Sequence, residues 1–197
     1  GDGMVSHRMV TKQVSFYEEM TNVPFIIAGP GIHPRQKPVE DLLTQPTIDL
    51  LPTLCELAGI PVPSSKPGIS LAPFLKGEKQ KRQHPYAASE WHSEYEVTVS
   101  PGRMIRSPRY KYTHYLEGNG EELYDMLKDK GERRNLAHDP KYSKILAEHR
   151  ALLDDYIRRT QDDYRSLKVE ADKRWRSHAP GYPNHEGPCA RDIINRK

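Results

Sequence analysis

The feature that most constrains this chain is an amphipathic run in its last third. From Tyr142, the residues Ile145, Leu146, His149, Leu152, Leu153, Tyr156 and Ile157 recur at helical spacing. Asp139-Pro140 precedes them, an N-cap followed by proline at the first helical position, where a missing N–H does no harm. A helix over residues 142–160 would be about 28 Å long. Burying four of its aliphatic side chains would contribute on the order of 6–10 kcal/mol before entropy is subtracted, so the helix needs an apolar surface to lie on. That surface is written just upstream. PYAASEW, YEVTVS, RMIRS, RYKYTHYL and EELYD are short segments with β-branched or tyrosine content, separated by Gly or Pro. In RYKYTHYL, Tyr110, Tyr112, His114 and Leu116 alternate with Arg109, Lys111, Thr113 and Tyr115, the period of a strand with one covered face. These residues predict a small antiparallel sheet packed with a long C-terminal helix.

The first half carries a different pattern. VSFYEEM predicts a short helical turn, and NVPFIIAGPG a short buried strand stopped by Gly29-Pro30-Gly31. In QPTIDLLPTLCELAGIPVP, Ile48, Leu51, Leu54, Cys55 and Ala58 fall on one helical face. Asp49 or Thr47 can cap this helix, Pro52 is expected in its first turn, and Gly59 and Pro61 end it. A strand, a loop and a capped helix belong to a layered α/β architecture. The stretch from Ser64 to Gln83 is rich in Pro, Gly, Ser and Lys and suits a surface connection, with a boundary near Lys81. Residues 1–80 are thus expected to be an incomplete part of an α/β domain and residues 81–160 a sheet-and-helix subdomain. Residues 161–197, polar and carrying Trp175, Pro180, Pro183 and Pro188, are expected to be a tail that wraps or frays.

An apolar fraction of 36% is low for a self-sufficient globule, which suggests a piece of something larger. Lysine and arginine count 30 against 27 acids, with no dense basic block to track a phosphate backbone, so nucleic acid is not the expected partner. No apolar run approaches the roughly 18 residues of a membrane span, and no leader occurs at Gly1, although an export signal further upstream would not be visible. Cys55 and Cys189 lie far apart, which argues against a disulfide framework. His7 and Lys12 lie five apart in the glycine-opened segment GDGMVSHRMVTK. A proton-donating imidazole and an ammonium point charge could converge on a tetrahedral oxyanion, although such residues on loops are usually only solvated.

The ordered blocks together resemble the sulfatase family of the alkaline-phosphatase-like superfamily. GDGMVSHRMVTK resembles the segment directly after the family's Ser-Asp-His/Asn-Gly metal motif. FYEEMTNVPFIIAGPGI resembles its next helix and strand, and IDLLPTLCELAGIPVP with GISLAPFLKG the helix and loop that follow. RMIRSPRYKYTHYLEGNGEELYDMLKDKGERRNLAHDP is similar to the C-terminal strands and the turn into the last helix. The resemblance covers roughly residues 1–160. It implies the C-terminal portion of an α/β enzyme that hydrolyses sulfate esters, a sulfated sugar among the expected substrates, and a periplasmic, secreted or lysosomal setting.

By the same resemblance His7 and Lys12 are expected to be catalytic, Lys12 as a cation on the sulfuryl oxygens and His7 as a donor to the sulfate or the departing oxygen. The interval from Lys12 to Tyr17 is one residue longer than the family's, which leaves Gln13 as the competing occupant. His92 is an expected substrate contact. The family's cofactors are Ca²⁺ and a formylglycine made within C/S-x-P-S/A-x-R. This chain has no such match, because Cys55 is followed by Glu-Leu-Ala and Cys189 by Ala-Arg-Asp, and the calcium carboxylates are expected just before Gly1. The chain alone is therefore expected to be inactive and to have the missing N-terminal catalytic portion as its partner.

Other residues receive plainer readings. Asp2 is read as a loop acid, Tyr110 and Tyr112 as sheet core, and His185-Glu186 as no metal pair for want of a third ligand. A phosphodiesterase or phosphonate hydrolase of the same superfamily would keep the fold and change the bond cleaved. A non-catalytic binding or structural fragment would have to keep an orphaned VPFII strand from aggregating.

Overall fold

The computed structural model describes residues 6–8, 15–34, 37–39, 42–65, 67–80, 84–91, 101–116 and 120–167. Among these, residues within 24–88 and 106–108 form one compact unit, and those within 1–23, 89–105 and 109–197 form another.

In the first unit the main element is α2, Pro46–Leu57, which follows the single-turn α1, Glu18–Thr21, of the other unit. Pro46 opens α2, and Asp49 reaches back to its start, Oδ2 accepting from the Gln45 N–H at 2.7 Å. Asp49 is fully buried, and its other oxygen accepts from the Ile69 N–H at 2.8 Å and lies 2.7 Å from His84 Nε2. Pro52 sits within the helix and not in its first turn, so the Ile48 carbonyl receives no amide from that position. The backbone of Gly68, at φ +118°, packs against this carbonyl, and a Cβ there would come within 2.1 Å of the Ile48 oxygen. The helix ends as a Schellman motif: Gly59 has φ +69°, the Ile60 N–H donates to the Cys55 carbonyl at 2.8 Å, and the Gly59 N–H to Glu56 at 3.3 Å. A second short helix, α3, Ala72–Leu75, follows.

Two expectations for this half are corrected. The face of α2 that turns inward is Asp49, Pro52 and Thr53, with Thr53 Oγ1 accepting from the Leu71 N–H at 3.0 Å, while Leu51 and Leu54 are 45% and 50% exposed. Polar groups that find backbone partners can be buried, and here they claim the inner face. The segment NVPFIIAGPG has no regular secondary structure before the turn at Gly29–Gly31 and is not a strand, and Ile26 is 86% exposed. A strand exists only against a partner ladder, and none of the described strands runs beside it.

Most of the sheet belongs to the second unit, with Ala87, Ala88 and Arg106 of its strands counted in the first. Strands β1, Ala87–Trp91, β2, Gly102–Arg106, β3, Tyr110–Tyr115, and β4, Gly120–Asp125, are ordered β1-β2-β3-β4. β3 and β4 are antiparallel, with Tyr110 opposite Asp125 and Tyr115 opposite Gly120. The segment YEVTVS lies outside the described residues. The long helix α4, Ser143–Thr160, follows a 3-10 turn at Pro140–Tyr142, where Asp139 accepts from the Lys141 N–H.

β3 is covered on both faces, not on one. Tyr112, Lys111 and Thr113 are each 1% exposed. On the α4 side, Tyr110 meets His149 edge-on, and Tyr112 donates to Glu121 at 2.5 Å, a carboxylate that Arg150 also holds. On the opposite side, Phe16 packs with Met104, Tyr115 and Trp91, and Tyr17 with Tyr124, Met126 and Met20. The N-terminal segment is what covers the second face. A Cβ at Gly102 would stand 2.7 Å from the Phe16 ring, so the missing side chain is what lets Phe16 in.

The expected fraying tail is also corrected for its first residues. Asp162 grips Arg103 with both oxygens, Nε at 2.5 Å and Nη2 at 2.8 Å, and Tyr164 is wholly buried, its hydroxyl 2.6 Å from His114 Nδ1 and its ring under the Arg103 guanidinium. Paired and stacked in this way, the guanidinium can be 3% exposed. Among the described residues, no helix is long and apolar enough to cross a membrane.

Candidate functional site

Of the residues expected to act, His7 is the one whose side chain is described. It stands in a short 3-10 stretch, Ser6–Arg8, with left-handed backbone angles, φ 48° and ψ 27°. Its ring lies flat on Tyr17, centroids 3.7 Å apart and planes within 3°. Tyr17 is itself 2% exposed and wedged against Tyr124, so the platform under the imidazole is part of the core. Beside it, Ser6 Oγ donates to Glu19 Oε1, and Glu19 Oε2 is buried without a hydrogen bond. Lys12, its alternative Gln13, His92, Asp2, the His185-Glu186 pair and Cys189 lie outside the described residues. Tyr110 and Tyr112 belong to the packing of β3.

Close by is a buried charge cluster. Lys111 reaches from β3 toward the N-terminal segment, its ammonium 2.6 Å from Glu18 Oε1 and 2.9 Å from Glu132 Oε1, and donates to the Phe16 carbonyl at 2.9 Å. Its side chain is 1% exposed, as is that of Glu132. Glu132 Oε2 accepts from the Glu18 N–H at 2.7 Å, which gives α1 a carboxylate at its N-terminus. One hydrogen bond and two close carboxylates compensate the burial of the ammonium. Glu132 itself has φ +49°, a conformation few non-glycine residues adopt, and the bonds of its carboxylate hold it there.

The electrostatics follow from burial. Desolvation holds the His7 imidazole below its ordinary pKa; Glu19 and Asp129 pull it up, and Lys111 and Arg133 push it further down. Burial raises the Glu132 carboxyl, and the Lys111 ammonium only partly offsets this. At Glu19 burial is the largest influence and acts upward, but the Ser6 hydroxyl and neighbouring charges outweigh it and leave the carboxyl below its ordinary value. A half-buried, readily neutral imidazole with a fixed plane can donate one hydrogen bond to an anion and exchange a proton near neutrality.

Ligand atoms of His7, Glu19 and Glu132 come within 4.8 Å of one another. They do not fit calcium, which takes six to eight oxygens, because one donor is an imidazole and Glu132 Oε1 already faces an ammonium at 2.9 Å. Formylglycine has no precursor among the described residues either: Cys55, a free thiol on α2, lacks the motif.

Sequence reasoning missed Tyr17, Glu18, Glu19, Lys111 and Glu132. Lys111 left a faint signal, because it shares its strand phase with Thr113 and Tyr115 and therefore sits on a face that could be covered. Glu132, within DKGERRN, left none, since its burial comes from residues over a hundred positions away.

Comparison with known proteins places these features in a family. The profile described as N-sulphoglucosamine sulphohydrolase, C-terminal, matches residues 6–159. The chain is 77% identical over its whole length to Delta 4,5-hexuronate-2-O-sulfatase of Bacteroides thetaiotaomicron, of which it spans 41%. It is 33% identical over 146 residues, 70% of the chain, to human arylsulfatase K, of which it covers 26%. A solved structure of a 2-O GAG sulfatase superposes on 98% of the chain with a TM-score of 0.86 at 77% identity, the match covering 42% of that chain.

Proposed function

Because the chain belongs to the sulfatase family, as a C-terminal domain of the N-sulphoglucosamine sulphohydrolase type, we propose that the whole protein hydrolyses a sulfate ester of a sugar, namely the 2-O-sulfate of a Δ4,5-unsaturated hexuronate. The 77% identity to a protein of that name across every residue of this chain carries the reading. The chain spans about two fifths of that relative, so the activity is assigned to the whole protein and not to residues 1–197 alone.

Within it, the His7 imidazole, held flat on Tyr17, donates a hydrogen bond to the sulfate or to the departing oxygen. Lys12 neutralises charge on the sulfuryl oxygens, and His92 contacts the sugar. Calcium and formylglycine, implied for the whole protein, belong in this reading to residues outside the chain. The compartment that goes with this reading is periplasmic, secreted or lysosomal.

The test is release of inorganic sulfate by the whole protein from 2-O-sulfated Δ4,5-unsaturated disaccharides, against 6-O-sulfated glucosamine and a phosphonate monoester. Turnover of the first substrate alone, with Lys12→Ala losing most of it while the fold is kept, is the expected result. Preferential cleavage of the phosphonate would overturn the reading, and near-normal turnover by Lys12→Ala would remove that residue from the site.

A further inference from the structure

We propose that Lys111 is a positioning residue: through Glu18, Glu132 and the Phe16 carbonyl it fixes the segment that carries Tyr17, and so sets the plane in which the His7 imidazole meets its anion. The inference rests on the functional reading above for what His7 meets, but not for how His7 is held.

The geometry is a chain of contacts with no loose link. Lys111 stands on β3, a strand covered on both faces, and crosses from it to the N-terminal segment. Its three partners flank Tyr17 on both sides: the Phe16 carbonyl just before, Glu18 just after, and Glu132, which in turn binds the Glu18 N–H. Tyr17 is thereby pinned by its own backbone neighbours as well as by Tyr124 and Met126. Its ring is then the floor on which His7 lies. An imidazole with one face against a fixed aromatic has lost its freedom to tilt, and a donor fixed in advance loses no reorganisation energy when an anion arrives.

The arrangement is larger than packing alone requires. A buried ammonium, a buried carboxylate and a left-handed non-glycine residue are each unfavourable on their own, and an apolar triplet of the same volume would often hold a core at least as well. What the charged version adds is direction, because an ammonium that donates to one carbonyl and lies within 3 Å of two carboxylates restricts the placement of the segment more than an apolar contact does.

The groups facing His7 are Tyr17, Glu19 from α1, Lys111 from β3, and Asp129, Glu132 and Arg133 from the turn after β4. Removing the floor exposes the ring to water and lets its pKa rise toward the ordinary value. That gives a readout which mere loss of stability would not produce.

The experiment uses the whole protein with Tyr17→Leu, Lys111→Met and, in case the single change leaves buried carboxylates that prevent folding, Lys111→Met/Glu132→Gln. Three quantities are measured: kcat and KM per folded molecule on a 2-O-sulfated Δ4,5-unsaturated disaccharide, the pH profile of kcat/KM, and the His7 titration by NMR. The expected result is a fall in kcat of about tenfold or more for each variant with KM changed less, and, in Tyr17→Leu, where Lys111 keeps its charge, movement to higher pH of the profile limb that His7→Gln abolishes. The NMR titration of His7 moves the same way. Lowered thermal stability with kcat, profile and titration unchanged per folded molecule overturns the proposal. Should the parent protein release no sulfate, the functional reading fails, while the His7 titration still decides the positioning: an unmoved midpoint in Tyr17→Leu rejects it.

Discussion

At the scale of single residues, two histidines contribute to how the fold responds to acid. His149, on α4, donates from Nδ1 to the Ile145 carbonyl at 2.8 Å and meets Tyr110 edge-on at 5.7 Å. Burial lowers its pKa below the ordinary 6.5, so the unfolded chain binds a proton more readily than the folded one. Stability is therefore lost as pH falls from about 6.5 toward the folded value, and does not depend on this group above that range. His7, shifted in the same direction, adds to the loss. His149→Leu is expected to flatten part of the slope of unfolding free energy between about pH 5 and 7, read from urea titrations at several pH values. An unaltered slope would mean that other groups govern the acid limb. His149 was legible in the helical period, because it falls in phase with Leu146 and Leu153. Lys111 and Glu132 were not, because whether a charge is buried depends on what arrives from the far side of the sheet.

At the scale of elements, two glycines of α2 and its surroundings separate conformational strain from steric exclusion. Gly59 has φ +69° and nothing within 4 Å of the position a Cβ would take, so Gly59→Ala is expected to lower stability by about 1 kcal/mol through backbone strain alone. Gly68 has φ +118° and a Cβ position 2.1 Å from the Ile48 carbonyl oxygen, so Gly68→Ala is expected to lose about 3 kcal/mol or more as the loop is forced off the helix. Equal losses in chemical denaturation would show that the loop over Ile48 moves freely. The end of α2 could be read from Gly59 and Pro61, and α4 and the strands after residue 84 from period and breakers. The inner face of α2 could not. Its leucines mark the apolar side, but Asp49 and Thr53 are drawn in by amides at Gln45, Ile69 and Leu71, partners that local spacing does not reveal. The run VPFII reads as a strand for the same reason: composition reports what a segment could pair with, and pairing needs a neighbour.

At the scale of the whole molecule, the unit built on α2 presents Leu50, Leu51, Leu54, Ile60 and Ile26 at 40% to 86% exposure. Apolar surface on that scale associates in water. Residues 1–197 expressed alone are expected to form soluble oligomers or aggregates by light scattering, and Leu51→Glu with Leu54→Lys to shift them toward monomer without lowering the melting temperature. A monodisperse monomer from the unaltered chain would show that this surface is covered from within. The grip of Asp162 on Arg103 bears on where the polypeptide can be shortened. The family profile stops at residue 159, short of both Asp162 and the phenol that fills the space under the guanidinium. Trimming to that edge would leave the guanidinium without its carboxylate and open a ring-sized hollow against His114, so a workable C-terminus has to keep Asp162 and Tyr164.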